Sequence, residues 1–141
     1  MNFEVDNRIR VGSFRLGNWP LSSIYLKDNA DFPWVILIPQ EPNIQEIYQL
    51  STNNRAQLMN EITALSKVMD DFFKPDKLNM GALGNIVPQL HIHIVARYRD
   101  DKCWPHSIWQ PDVPLSTYRP EHAEKLIQTL KEQLANIFIL R

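Results

Sequence analysis

A stretch between Pro88 and Tyr98 constrains the fold most strongly, because its polar and apolar residues alternate. Successive side chains of a β-strand point to opposite faces. One face of this stretch is entirely apolar and consists of Leu90, Ile92, Ile94 and Ala96. The other face carries Gln89, His91, His93, Val95 and Arg97. We therefore predict a strand that packs its apolar face against a core and turns its polar face toward solvent or a cleft.

The two histidines of this stretch lie two residues apart, which separates them by about 7 Å along a strand. An oxyanion such as a phosphate fits between groups at that separation. Neutral histidine can attack phosphorus as a nucleophile, and imidazolium can donate a proton near neutral pH. The glycines of the preceding GALGN loop allow its backbone N–H groups to approach a phosphate oxygen closely. The side chains of Asn85, Gln89 and Arg97 are candidate donors to the same oxygens.

Two further interpretations fit the same pair of histidines. Histidines at this spacing also suit zinc or copper ligation, and they also occur as plain structure. Two histidines make an incomplete zinc site, and Cys103 is the one cysteine of the chain. The pattern alone leaves catalysis, metal binding and a structural role open. The other histidines, His106 and His122, are predicted to lie at the surface.

Length and composition predict one domain spanning residues 1–141, because 44% hydrophobic and 22% charged residues are ordinary for a globular chain. A net charge of −1 gives no reason to expect nucleic-acid or membrane binding. The N-terminus lacks the apolar core of a signal peptide, and the longest apolar runs are too short to span a bilayer. Together with the single cysteine, these features predict a cytoplasmic protein.

Periodicity and turn residues predict the order of helices and strands. We predict strands at Leu21–Asp28, Trp34–Pro39 and Lys77–Asn85. They accompany the strand Gln89–Tyr98 that carries the two histidines, here called the histidine strand. We predict a short helix from Asn43 to Leu50, opened by a capping box of Asn43 and Glu46, a helix from about Asn54 to Phe73 ended by Pro75, and a last helix from about Pro120. Their apolar faces comprise Met59, Ile62, Leu65, Val68, Met69 and Phe72, and Ala123, Leu126, Ile127, Leu130, Leu134 and Ile137. This arrangement indicates an α+β domain with a mainly antiparallel sheet.

The stretch PQLHIHIVAR resembles the signature of the histidine triad (HIT) superfamily, histidine–apolar–histidine–apolar–histidine–apolar–apolar. The WVILIP strand, the long helix, the NMGALGN segment and the pair Trp104–Pro105 occur in the order found in that family, so the resemblance extends over most of the chain. It implies a HIT-like α+β fold with a five-stranded, mainly antiparallel sheet and two main helices. It also implies a homodimer that joins two sheets into one of ten strands.

The resemblance further implies hydrolysis or transfer at the α-phosphate of a nucleotide or nucleoside-phosphate partner, with no metal or other cofactor. The middle histidine of the motif falls on His91, which would attack phosphorus and form a nucleotidyl-histidine intermediate. The third falls on His93, which would contact the phosphate and help to protonate the leaving group. Nucleoside phosphoramidates, adenylylated compounds and dinucleoside polyphosphates are the substrate types implied. The alternative is a nucleotide-binding or regulatory module with little turnover.

Two positions depart from the family pattern. Gln89 stands at the first histidine, and glutamine neither holds nor transfers a proton at neutral pH. The family implies that the nucleophile donates to the backbone carbonyl of this position, which any residue supplies. Rate and leaving-group preference are therefore what the change affects. Trp34 stands where many members have a histidine, and we predict that it packs near Gln89.

Several other residues are carried over from the resemblance as substrate contacts. Asp28 resembles the acidic residue that binds the ribose hydroxyls, although it also fits the start of a turn. Asn79 and Asn85 resemble polar residues around the phosphate, and Asn85 also fits a Gly-Asn turn. Trp104 is predicted to close the site from the partner subunit or to fill the core. Arg97 is assigned to substrate binding, with a solvated charge at the strand end as the alternative.

Overall fold

A five-stranded antiparallel sheet forms the centre of the computed structural model, which describes residues 2–141. The strands are β1 (Ser13–Asn18), β2 (Ser22–Lys27), β3 (Trp34–Pro39), β4 (Lys77–Gly81) and β5 (Ile92–Arg97). Their order across the sheet is β1-β2-β3-β5-β4, and each neighbouring pair is antiparallel. The five-stranded antiparallel sheet implied by the resemblance is thus confirmed.

The predicted strands differ from the observed ones mainly at glycines and at the histidines. The strand predicted for Lys77–Asn85 ends at Gly81, and the histidine strand begins at Ile92, so that His91 precedes it. Strand β1 was not predicted. Its pairing with β2 shifts register between Arg15 and Gly17. Such a bulge interrupts the two-residue alternation by which a strand is recognised in sequence.

Three helices accompany the sheet: α1 (Asn7–Arg10), α2 (Thr52–Phe73) and α3 (Pro120–Ala135). Both long helices were predicted, and α2 begins two residues earlier because the Ser51 hydroxyl caps it by accepting from the backbone N–H of Asn54. The single-turn helix α1 was not predicted. No helix within residues 2–141 is long and apolar enough to cross a membrane.

The short helix predicted for Asn43–Leu50 is wrong in its bounds and in its cap. The structure has one 3-10 turn, Ile47–Gln49, whose capping box joins Glu46 and Gln49. Asn43 instead has a left-handed backbone with φ of 61°, a conformation that asparagine adopts more readily than most residues. It turns the chain before the 3-10 segment.

The main core lies between one face of the sheet and the two long helices. Val35 and Leu37 of β3 and Ile92 and Ile94 of β5 form part of this face and are buried. The predicted helical positions Ile62, Leu65, Val68, Met69, Ala123, Leu130 and Leu134 are buried as expected. Met59, Phe72 and Ile137 are exposed, so their prediction as core residues was wrong. Leu58 takes the buried position in α2, and Ile137 lies beyond the end of α3.

The opposite face of β5 is covered over half its length. Val95 and Arg97 are buried, whereas the sequence predicted that this face looks toward solvent or a cleft. Phe32, just before β3, and Ile108, in the chain after β5, pack against Val95. Only the half of this face that carries the histidines remains open to a pocket.

Candidate active site

The two histidines line a pocket of about 710 Å³ on the open part of this face. The chain before β1, the ends of β2 and β3, the loop 83–87 and the segment 108–111 form its walls. No acidic residue belongs to the described lining, whereas Arg8 and Lys27 do. Arg8 is paired with the Asp6 carboxylate, whereas Lys27 has no ion-pair partner among residues 2–141. A pocket with apolar walls and the positive charge of Lys27 is suited to an organic anion.

His91 is oriented by the backbone of Gln89. Its Nδ1 lies 2.6 Å from the Gln89 carbonyl oxygen. Because a carbonyl can only accept, Nδ1 carries the proton and donates. In the neutral imidazole this leaves the lone pair on Nε2. The contact implied by the family resemblance is present, and it depends on no side chain at position 89.

His93 is oriented by Trp34, whose indole Nε1 donates to Nδ1 of His93 over 2.9 Å. An indole N–H only donates, so Nδ1 accepts and the single proton of neutral His93 lies on Nε2. Burial lowers the pKa of His93 to about 3, and the electrostatic interactions of His93 with His91 and Lys27 act in the same direction. At neutral pH His93 is therefore uncharged and offers one N–H at Nε2.

The two imidazoles are closer together than the strand rise predicts. Their ring centres lie 4.7 Å apart with the planes at 77°. The estimate of about 7 Å applies to positions along a regular strand, whereas His91 lies before β5 begins. The indole of Trp109 lies 5.9 Å from the His93 ring and closes that side.

The side chain of Gln89 is hydrogen-bonded to the N-terminal segment, residues 2–12, which precedes β1. Its Oε1 accepts from the backbone N–H of Asp6 over 2.8 Å, and its Nε2 donates to the carbonyl of Glu4 over 2.9 Å. Trp34 is bonded to His93. Trp34 and Gln89, which we predicted to pack near each other, thus make their side-chain hydrogen bonds to different partners.

Arg97 lies in a buried network and does not form a solvated strand end. Its side chain is 1% exposed and makes a double contact with Asp101, at 2.7 and 3.0 Å. It also donates to Asn79 Oδ1 and to the carbonyl of His106. The Arg97 guanidinium, the Asp101 carboxylate and the Asn79 amide oxygen therefore use their hydrogen bonds within this network. Neither Arg97 nor Asn79 lines the histidine pocket.

Asp101 is held ionised by this network. Burial acts to raise its pKa, but hydrogen bonds from Arg97 and from the backbone N–H groups of Tyr98, Cys103 and Trp104 outweigh burial and lower the pKa to about 2. The network therefore carries a full negative charge against the Arg97 guanidinium.

The other predicted substrate contacts fall in different places. Asn85 is exposed and lines the histidine pocket beside Gly84, whose φ is 75°. Asp28 lines a separate groove and accepts from the backbone N–H of Tyr118. The indole of Trp104 lies 5.8 Å from the Arg97 guanidinium and outside the histidine pocket. Substrate binding by these residues stays a prediction. His106 and His122 are exposed, as predicted.

Several polar and aromatic residues of the pocket were missed from the sequence, among them Arg8, Ser13, Lys27 and Trp109. Ser13 and Lys27 are paired across β1 and β2, so the bulged strand that was not predicted brings them together. The Ser13 hydroxyl and the Trp109 indole N–H are buried without a hydrogen-bond partner among residues 2–141. No group of three or more histidine, cysteine, aspartate or glutamate residues in that range is arranged to hold a metal ion.

This fold and site define a small α+β domain that presents two histidines, at the N-terminal end of the inner strand β5, to a pocket lined by cationic and apolar side chains. The sequence model of the HIT domain matches residues 10–100, which is more than half of the chain. The chain belongs to the HIT, or histidine triad, family.

Solved structures agree with this assignment. A histidine triad protein from Marinobacter aquaeolei VT8 is 36% identical, with a TM-score of 0.91 over 96% of this chain and 98% of that one. One from Bradyrhizobium japonicum is 34% identical, with a TM-score of 0.90 over 94% and 98%. One from Sinorhizobium meliloti 1021 is 30% identical, with a TM-score of 0.89 over 94% and 97%. No curated protein matches the chain.

Proposed function

We propose that the protein is a nucleotide hydrolase or nucleotidyl transferase that acts at the α-phosphate through a nucleotidyl-histidine intermediate on His91. The observation that carries this proposal is the hydrogen bond from Nδ1 of His91 to the Gln89 carbonyl. That bond leaves a lone pair on Nε2 in a pocket whose charged side chains are cationic. Membership of the HIT family supports a nucleotide-related activity.

The first step forms a bond from Nε2 of His91 to the α-phosphorus, while the bond from phosphorus to the leaving group breaks and the leaving group takes the electron pair. Positive charge then develops on the imidazole. The Gln89 carbonyl accepts from Nδ1–H and stabilises that charge. The Nε2–H of His93 donates to a non-bridging phosphate oxygen. Water or another acceptor next attacks phosphorus and releases its proton to solvent, while the nitrogen–phosphorus bond breaks and its electron pair returns to Nε2.

The state of His93 favours one kind of leaving group. Because its pKa lies near 3, the free protein holds no proton on His93 that it can give up as imidazolium at neutral pH. An amine needs a proton in order to leave, whereas a phosphate or polyphosphate leaves as a stable anion. Among the predicted substrates, the dinucleoside polyphosphate type therefore fits this site better than the phosphoramidate type.

The test incubates the protein with a radiolabelled dinucleoside polyphosphate and stops the reaction with an alkaline denaturant, because acid hydrolyses the bond between histidine nitrogen and phosphorus. Protein-bound nucleotide and released nucleoside monophosphate are then assayed. We expect label on the wild type and none on His91→Ala. His122→Ala is the matched control, because His122 is exposed on α3. Absence of both label and product from the wild type would refute the enzymatic proposal.

A second function, nucleotide binding with little turnover, is favoured by the contacts of Gln89. Its amide is engaged by the N-terminal segment and contributes no proton-transfer group to the site. Calorimetry distinguishes the two functions. Nucleoside monophosphate binding in a protein without turnover, and with no gain in Gln89→His, would favour the binding module.

A homodimer that joins two sheets stays a proposal based on the family. Strand β4 is an edge of the sheet and has one unpaired side, as that assembly requires. Sedimentation at micromolar concentration tests it, and a monomer would contradict it.

A further inference from the structure

We propose that Gln89 is a positioning residue whose side chain fastens the N-terminal segment to the chain beside His91, and thereby holds the carbonyl that orients the His91 imidazole. This inference rests on the proposed role of His91. It assigns a function to the residue that replaces the first histidine of the family motif.

The two hydrogen bonds of the Gln89 amide form the first part of the argument. The carboxamide accepts from the Asp6 N–H and donates to the Glu4 carbonyl, 83 and 85 residues away. Both partners are backbone groups two residues apart, so the amide binds the segment as a neighbouring strand would. A single amide makes both bonds because it has an acceptor and a donor at its end.

A second connection closes a ring between the same two pieces of chain. The Asp6 carboxylate accepts from the Arg8 backbone N–H and guanidinium, and the guanidinium donates to the carbonyl of Ile86 over 2.9 Å. The hydrogen bonds from Arg8 lower the pKa of Asp6 to about 2, so this ion pair is present at neutral pH. Residues 86–89 are thus held to the N-terminal segment at both ends.

The N-terminal segment is itself anchored on the sheet, which makes it a firm support. Val5 and Ile9 are buried against Tyr25, Ile36 and Ile38 of β2 and β3. Ile9 and Arg8 also line the histidine pocket. The side chain of Gln89 therefore helps to fix the Gln89 backbone relative to the sheet.

The orientation of the His91 ring depends on the one hydrogen bond that this ring makes within residues 2–141. Its Nδ1–H donates to the Gln89 carbonyl, and this bond selects the tautomer with a free lone pair on Nε2. His91 precedes β5, so the regular pairing of the strand does not fix it. If Gln89 loses its hold on the segment, the peptide that carries this carbonyl keeps the hydrogen bond from the Leu90 N–H to the Ile44 carbonyl but loses its second attachment. The carbonyl is then fixed less firmly and the tautomer preference weakens.

The experiment compares Gln89→Met, which keeps the length and removes the amide, with Gln128→Met on the exposed side of α3 as control. Amide exchange at Asp6 should accelerate about tenfold or more, as expected for loss of a hydrogen bond. The ¹⁵N shifts of the His91 ring should move from the Nδ1–H tautomer toward a mixture. Both readings are made without substrate, so they do not depend on turnover.

Asp6→Pro tests the same link from the other side. Asp6 has φ of −53°, a value that proline adopts. Proline has no backbone N–H, so the hydrogen bond that Gln89 Oε1 accepts at this position is lost. Asp6→Ala is the matched control because it also lacks the carboxylate. We expect a larger shift of the His91 tautomer in Asp6→Pro than in Asp6→Ala.

In an active protein, Gln89→Met should lower the rate of nucleotidyl-enzyme formation about tenfold with little change in KM. Unchanged Asp6 exchange and unchanged His91 shifts in Gln89→Met would overturn the positioning role, whatever the activity. If Gln89→Met shifts the His91 tautomer but the wild type forms no nucleotidyl-enzyme, the positioning role stands and the proposed function is overturned.

Discussion

The indole Nε1 of Trp34 donates a hydrogen bond of 2.9 Å to Nδ1 of His93, from β3 to β5. Trp34 pairs with Val95 in the sheet, and His93 pairs with Ile36, so the contact is a diagonal one on a single face. The bond decides which nitrogen of His93 carries the proton. A tryptophan can do this only as a donor, so it imposes one tautomer.

Trp34→Phe should release that tautomer and lower stability. Nδ1 of His93 loses its partner in a partly buried position, which costs about 1–3 kcal/mol. We expect the ¹⁵N spectrum of the His93 ring to change from the Nε2–H form to a mixture of both. Trp104→Phe is the control, since that indole lies beside Arg97 and not beside His93. A His93 spectrum unchanged in Trp34→Phe would contradict the assignment.

Stability should depend on pH through His93. Its pKa is about 3 in the folded chain and near the ordinary 6.5 in the unfolded chain. Between these values the unfolded state binds the extra proton, so the free energy of unfolding falls as pH drops from about 6.5 toward about 3. Urea titrations at several pH values measure this loss. In His93→Gln the loss should be smaller, and an identical pH profile in both proteins would argue against the low pKa.

Features of the fold and the site were predicted from sequence where contacts between residues close in sequence determine them. Helix α2 follows from the helical spacing of its apolar residues, and strand β3 from its β-branched residues and the turn after it. The two histidines follow from the alternation between Pro88 and Tyr98. The burial of Arg97 could not be read from its strand, because Asp101 and Asn79 reach it through a turn and from another strand. The link between Gln89 and Asp6 spans 83 residues and leaves no local pattern.

Arg97→Met should destabilise the fold by about 3–5 kcal/mol, because it leaves the buried Asp101 carboxylate without its cation. Denaturant unfolding measures the change. Arg99→Met is the matched control, since Arg99 is exposed two residues away. If Arg97 acted mainly on substrate, Arg97→Met would weaken nucleotide binding with stability preserved.

The same ion pair predicts a separate acid transition. The pKa of Asp101 is about 2 in the folded chain against 3.8 for an ordinary aspartate. Its stabilising contribution is present above about pH 4 and is lost as pH falls toward 2. Asp101→Asn should remove this part of the acid dependence. A wild-type and Asp101→Asn pair with parallel stability curves between pH 4 and 2 would contradict it.

Lys27→Met should weaken nucleotide binding, because Lys27 is one of two cations in the described lining of a pocket without acidic residues. A hydrogen bond to a charged group contributes about 1.5–3 kcal/mol, so the loss in affinity should be tenfold or more. The variant also removes a positive charge that lowers the pKa of His93, so that pKa should rise. Calorimetry with a nucleoside monophosphate at low salt and NMR titration of His93 measure the two effects. Lys125→Met on the exposed side of α3 is the control. A raised His93 pKa with unchanged affinity would place Lys27 beside the histidines but outside the phosphate contacts.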